Sequence, residues 1–355
     1  SFTGLSVSGS KLELDHLQSL NGVLKVVPDS RKSIIPPIVV EKSIHRSLMS
    51  LPTWGVDILD GGNISGSYHP SYSGANVDVY VVDTGLDTLH NEFQGGGRII
   101  KNIYDAFSQL SSTIDDNTDT NGHGTHCAGT IGGKNVGVSK SVNLYGVRVL
   151  DKDGGGDTSD VLHALEAIHA HMKSRPNPAI ITMSLGGPCD NVDCSKDLLN
   201  IAVERLAAED VLISVASGNS ACNACTGSPN GATSAFVVGA INQDKEQAYF
   251  SNFGKCIDVL APGVKIESAC SGKVCGAENL YLQMSGTSMA CPHATGVLAQ
   301  MVQKLVYSLN KDFSYDKIYD EMSCSSLKDL ILMDPSDSVT RNLMLQIPKI
   351  GTSMP

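Results

Sequence analysis

The chain is short of charge and has no long apolar run. Charged residues make up 18% of its 355 residues and hydrophobic ones 41%, an ordinary globular proportion. No stretch reaches the ~18 apolar residues of a membrane-spanning helix, so no membrane role is expected. Lysine plus arginine is 26 against 37 for aspartate plus glutamate, a net −11, and no basic block occurs. Such a surface repels phosphates, which argues against a general nucleic-acid binder. No histidine stands at metal-ligand spacing beside the closely spaced cysteines, which disfavours a zinc site. Internal repeats and low-complexity tracts are missing. The chain opens on Ser1 with no charged-then-apolar leader, an absence that carries no information about secretion.

What the chain does have is glycine, 35 residues of it, clustered in short runs that suit tight turns and backbone held close to a ligand. Its ten cysteines fall partly in loops, with Cys189 near Cys194, Cys222 near Cys225 and Cys270 near Cys275. Loop disulfides in an oxidising compartment are the reading to set against a metal site.

Leu12, Leu14, Leu17 and Leu20 approach helical spacing, and residues 23–27 read as a strand ended by Pro28-Asp29. Residues 1–35 are thus a helix–turn–strand fragment too small to fold alone, and residues 36–52, opening on Pro36-Pro37, read as a linker. From Trp54 the texture changes. Strands are expected at residues 77–82, 144–150, 179–183 and 211–216, with helices at 125–133, 159–173 and 196–208. This alternation predicts an α/β fold: a mostly parallel central sheet with helices on both faces, plus a small α+β remnant at the N-terminus. Ligands of such sheets bind outside the carboxyl ends of the strands. Asp83, Ser184-Leu185-Gly186-Gly187 and Ser217-Gly218-Asn219 all follow strands, so three candidate motifs converge on one edge.

Acyl transfer to a nucleophile needs a hydroxyl, a base, a carboxylate to orient the base, and donors for the oxyanion. Ser288 lies where a glycine turn enters a small-residue helix, so free N–H groups and the helix dipole favour negative charge there. A serine at that place also serves as an ordinary helix cap. His123 is flanked by Gly122 and Gly124, which leaves its imidazole accessible. His126 follows one turn later; with no third ligand evident, it reads as a hydrogen-bonded structural residue rather than a metal ligand. Asp83 closes a buried strand, where an unpaired charge is costly. A histidine Nδ1–H would satisfy it, and so would backbone N–H groups.

Val81-Val82-Asp83-Thr84-Gly85, the run from His123 to Thr130, and Gly286-Thr287-Ser288-Met289-Ala290 resemble the three active-site signatures of subtilisin-like serine proteases, in that family's order of Asp, His, Ser. The likeness spans about Trp54 to Lys349. It is closer to the proteinase K branch, where a cysteine follows the second histidine as Cys127 does here. The resemblance implies Asp83, His123 and Ser288 as triad, and Asn219 as oxyanion donor. It implies Gly154, Gly155, Gly156, Ser184, Leu185 and Gly186 as the walls of a peptide cleft that pairs backbone with backbone, hence broad specificity.

The resemblance also implies that residues 1–35 are the C-terminal part of an inhibitory propeptide whose end occupies the cleft, with self-cleavage between Arg31 and Ser50. An ordinary N-terminal extension of the catalytic domain is the rival reading. The catalytic domain then covers 53–349 and a tail 350–355. No cofactor is expected for catalysis. A structural calcium is expected on Asp258 with backbone carbonyls of Thr233 and Ala235, while the short stretch 132–141 lacks the longer calcium loop of bacterial subtilisins. The acidic run 115–119 reads as a solvated loop. In the wider family Cys225 and Cys256 match a disulfide pair, Cys189–Cys194 and Cys270–Cys275 suit local bridges, and Cys127 is a buried thiol under the histidine. The expected molecule is a secreted, monomeric serine endopeptidase acting on polypeptides and inhibited by its own propeptide. A catalytically silent peptide-binding relative and a ligase-like acyl transferase are the alternatives.

Overall fold

The computed structural model describes residues 7, 10–20, 23, 25–34, 52–108, 114–189, 193–277, 279–309 and 313–349. The strands, in chain order, are β1 (Arg31–Ile34), β2 (Asp78–Asp83), β3 (Ile100–Asp105), β4 (Asn143–Arg148), β5 (Gly155–Asp157), β6 (Ala179–Met183), β7 (Leu185–Pro188), β8 (Leu212–Ala216), β9 (Gly227–Ser228), β10 (Phe236–Ile241), β11 (Val259–Pro262), β12 (Ile266–Ala269), β13 (Tyr281–Met284), β14 (Leu327–Lys328) and β15 (Leu343–Met344). The helices are α1 (Lys11–Gln18), α2 (Trp54–Asp57), α3 (His123–Gly132), α4 (Thr158–Lys173), α5 (Leu198–Ala207), α6 (Gly272–Cys275), α7 (Thr287–Gln303) and α8 (Tyr315–Ser325).

β2 shows why the sheet must be central. All six of its residues are buried, and successive side chains point to opposite faces. Val79 and Val81 join one apolar core with Cys127, Ile131, Met289 and Val297 of α3 and α7. Tyr80 and Val82 join a second core with Val161, Ile168, Leu199 and Val203 of α4 and α5. A strand apolar on both faces is buried only between two helical layers, the arrangement expected from the sequence.

The main sheet runs β14-β15-β11-β10-β8-β6-β2-β4-β3. All neighbouring pairs are parallel except β14 with β15. Chain order departs from β2 in both directions, so a crevice opens at its carboxyl end, next to Asp83. No helix among the described residues is long and apolar enough to cross a membrane.

The N-terminal segment differs from expectation in one respect. α1 forms, with Ser10 and Glu13 bonded reciprocally as a capping box. Val23 and residues 25–30, however, hold no regular structure, and the strand lies further on, at β1. Strand propensity favours the earlier valines, but a strand needs a partner, and the open edges that accept one belong to β5 and β7. β1 lies between them, antiparallel to both, with Lys32 opposite Gly156 and Ser33 opposite Gly155 and Gly186. Most of the linker and the tail, and the cleavage window beyond Ile34 up to Ser50, lie outside the described residues.

The three anticipated disulfides, Cys189–Cys194, Cys225–Cys256 and Cys270–Cys275, are formed. Cys127 and Cys291 are buried free thiols, and Cys222 and Cys324 are exposed ones.

Candidate active site

Asp83 is the last residue of β2, and His123 is the first of α3. Gly122 makes the junction into α3 with φ of 98°, a left-handed conformation that a side chain disfavours. The helix start carries the imidazole to the carboxylate. His123 Nδ1–H donates to Asp83 Oδ1 at 2.8 Å, with Oδ2 at 3.0 Å, and both side chains are 1% exposed. Asp83 Oδ1 also accepts from the Thr84 N–H at 2.7 Å. Burial disfavours the imidazolium, but the adjacent Asp83 carboxylate more than offsets that, so the His123 pKa stands well above its usual value. The bond to Nδ1 fixes the tautomer with Nε2 deprotonated, the form a general base needs.

Ser288 is the second residue of α7 and is fully buried. It is not the cap, since that place belongs to Gly286. Its hydroxyl donates to Ser184 O at 3.2 Å, and Ser184 Oγ returns a bond to Ser288 O at 3.0 Å. Among the described residues His123 Nε2 has no hydrogen-bond partner, so the serine–histidine link is not closed in this rotamer. The two residues nevertheless flank one sulfur: Cys127 Sγ lies 3.4 Å from Ser288 O and 3.9 Å from His123 Nδ1. Burial pushes the Cys127 thiol pKa up, which keeps it protonated and unsuited to act as nucleophile.

Asn219 follows β8. Its Oδ1 accepts from Thr287 N–H at 2.8 Å and Thr287 Oγ1 at 2.9 Å, which fixes the amide plane. Its Nδ2 faces Gly286: a Cβ on that glycine would lie 3.0 Å from Nδ2 and 3.7 Å from Ser288 N. Two N–H donors therefore border one space, the requirement for holding an oxyanion. Gly218, at φ 108°, lets the backbone turn so that Asn252 can brace the loop, its Nδ2 on Ser217 O and its Oδ1 on Ser220 N–H.

The structure corrects the reading of residues 115–119 as a solvated loop. Asp115 and Asp116 are exposed, but Asn117, Thr118 and Asp119 are buried. Asp119 accepts five hydrogen bonds: from the N–H groups of Asn121, Gly122 and Thr125 and from the hydroxyls of Thr84 and Thr125. It ties the loop after Asp83 to the first turn of α3. The available signal was its place four residues before a helix start, where a carboxylate matches orphan N–H groups. Among the described residues, Asp83, His123 and Cys127 also form a cluster of metal-ligand type, all within 4.8 Å. His126 stands apart from it. Its Nε2–H donates to Ile266 O and Leu282 O, both at 3.0 Å, and burial lowers its pKa to about 3, so it stays neutral.

The residues expected to wall a peptide cleft lie on or beside two strands, with β1 between them. Gly155 and Gly156 lie on β5 beside Gly154, and Leu185 and Gly186 lie on β7 directly after Ser184. At the opposite sheet edge Asp258 receives one hydrogen bond from the described residues, from Val237 N–H at 2.8 Å. Burial raises its pKa from 3.8 to about 7. Glu204 binds the N–H groups of Thr233 and Ser234 and fixes the turn carrying the Thr233 and Ala235 carbonyls. A carboxylate short of donors suits a hard cation.

The subtilase family model matches residues 74–339. An extracellular serine proteinase of a Thermus species is 38% identical over 309 residues, covering 84% of this chain and 70% of its own length. Subtilisin-like protease 8 of Arthroderma benhamiae is 36% identical, covering 82% of this chain and 60% of itself. Alkaline protease 2 of Aspergillus fumigatus is 34% identical, covering 85% and 61%. The chain thus spans about three-fifths of these two fungal relatives. A crystal structure of a cold-adapted subtilisin-like serine proteinase superposes with a TM-score of 0.71 at 33% identity, over 84% of this chain and 100% of that one.

Proposed function

This chain belongs to the subtilase family of serine endopeptidases, and from that premise we propose that it hydrolyses polypeptides outside the cell through an acyl-enzyme on Ser288. The Thermus relative named an extracellular serine proteinase and the three disulfides support secretion. One observation carries the catalytic assignment: a buried imidazole bonded to a buried carboxylate at 2.8 Å, next to a serine at a helix start.

In catalysis the serine hydroxyl turns from Ser184 O towards His123 Nε2. Such links are often open before substrate binds. His123 takes the proton as Ser288 Oγ attacks the scissile carbonyl. Asp83 stabilises the imidazolium, while Ser288 N–H and Asn219 Nδ2 hold the oxyanion. His123 then gives its proton to the leaving amine, and water repeats the cycle on the ester. No cofactor takes part. Asp258, with the Thr233 and Ala235 carbonyls, holds a structural calcium, and the enzyme works as a monomer.

The N-terminal segment acts as the enzyme's own inhibitor. β1 pairs with both cleft strands in the way a peptide substrate would, and self-cleavage between Arg31 and Ser50 releases it. Backbone pairing of this kind tolerates many side chains, so specificity is broad.

The unclosed Ser288–His123 bond is the observation that favours the rival reading, a silent peptide-binding relative. A fluorophosphonate probe separates the two. Covalent labelling abolished by Ser288→Ala, with cleavage of a protein substrate, is expected. A chain that binds peptides but is never labelled would overturn the endopeptidase reading. N-terminal sequencing of the labelled form locates the cut.

A further inference from the structure

β1 does more than fill the cleft, because its side chains reach defined places. Lys32 is 1% exposed, whereas Arg31 and Ser33 on either side of it are exposed. A strand presents alternate residues to opposite faces, so one position in this register points into the protein. The Lys32 stem runs over Gly187, its Cδ 3.6 Å from where a Cβ on that glycine would lie. Its Nζ donates to Pro188 O at 3.4 Å. Arg31 Nη2 donates to Asp151 Oδ2 at 2.8 Å. The guanidinium lies against Gly155, where a Cβ would come within 2.3 Å of it. Upstream, Asp29 accepts from Ser159 N–H at 3.1 Å, and Thr158 N–H donates to Ser30 O at 2.8 Å, which pins the register at the start of α4.

This register converts to substrate positions. Ser33 faces Gly186 and the next residue faces Leu185. A substrate residue opposite Ser184 therefore stands beside Ser288, whose hydroxyl touches the Ser184 carbonyl. Counting back from it, the place of Lys32 is the fourth residue before the scissile bond, and the place of Arg31 is the fifth.

We infer that the cleft selects basic residues at these two positions: a lysine buried over Gly187 with its ammonium on Pro188 O, and an arginine on Asp151. The inference deepens the endopeptidase reading and rests on it. The inner position offers a floor over Gly187 that leaves room for an alkyl stem, and a carbonyl acceptor at its end. A lysine matches both, and a leucine only the first. A glutamate would bring negative charge to a rim that already carries Asp151 and Asp157.

The test uses active enzyme counted by fluorophosphonate titration and a quenched peptide series that varies one position at a time. Lysine in the fourth place should raise kcat/KM about tenfold over alanine, the size of a hydrogen bond from a charged group. Arginine in the fifth should raise it about threefold, as an exposed ion pair does. Asp151→Asn should bring the arginine-to-alanine ratio close to one while leaving the lysine-to-alanine ratio in place. Leucine equal to or better than lysine in the fourth place overturns the inner site. An arginine ratio unmoved by Asp151→Asn overturns the outer one. Neither result touches the endopeptidase reading, which fails instead if no peptide is cut and no serine is labelled, taking this inference with it.

Discussion

The two edges of the main sheet hold aspartates in different conditions: buried at one, half-buried at the other. At the carboxyl edge Asp119 accepts five hydrogen bonds, and Asp83 is shared between an imidazole and a backbone N–H. At the amino edge Asp258 has one N–H, and burial lifts its pKa to about 7. A carboxylate surrounded by donors can fix the position of others. One left short of donors must take up a proton or a cation. The same residue type thus acts as a fastener at one edge, while at the other it is the group on which the proposed cation site rests.

The sharpest challenge to this contrast is Asp83→Asn. Catalysis should fall about 10⁴-fold in kcat with the fold intact, as the same change does in other Ser–His–Asp enzymes. The base must be neutral, and its raised pKa places the acid limb of the wild-type pH–rate profile above the ordinary 6.5. Without the carboxylate the imidazolium loses its partner, so the limb should move to lower pH. A limb that stays put would show that His123 is not the titrating base.

Asp119→Ala should leave several buried N–H and hydroxyl groups unsatisfied and lower stability by about 3 kcal/mol in denaturant unfolding. It should also lower kcat more than it raises KM, since it loosens the turn that aims His123. A loss of less than about 1 kcal/mol would mean that water replaces the carboxylate and that the two edges are not so different.

The smallest effect is the most diagnostic for Asp258. An acid whose folded pKa lies above its unfolded value binds its proton more tightly when folded. It therefore costs stability as pH rises from about 4 to 7, and fully above that. At pH 8 without calcium, Asp258→Asn should raise Tm by about 2–5 °C. With millimolar calcium the wild type should gain Tm and the variant should not, because a ligand bound only to the folded state stabilises it by mass action. Equal melting curves for wild type with and without calcium would remove the cation from this edge.

How legible each part was follows from what recognises what. The strand at residues 78–83 and the helices after it were readable because burial on two faces imposes a sustained apolar pattern. Asp83, His123 and Ser288 stood out because glycines and small residues must surround groups brought so close together. Asp119 was hidden in an acidic run, since counting charges does not reveal which carboxylate turns inward. The strand at Arg31–Ile34 was missed for a related reason. Its composition is unremarkable for a strand, whereas the described residues of the stronger valine run at 23–27 form none.

The sequence by itself determined the layered α/β fold, the family and the residues able to do acyl-transfer chemistry, because local pattern and packing periodicity are written residue by residue. Tertiary structure alone decided that Asp119 fastens the histidine, that Asp258 is left short of donors, and that Lys32 lies buried on a strand between β5 and β7. Each depends on which groups from distant parts of the chain arrive within hydrogen-bond reach, and that is a property of the folded backbone rather than of any one stretch of it.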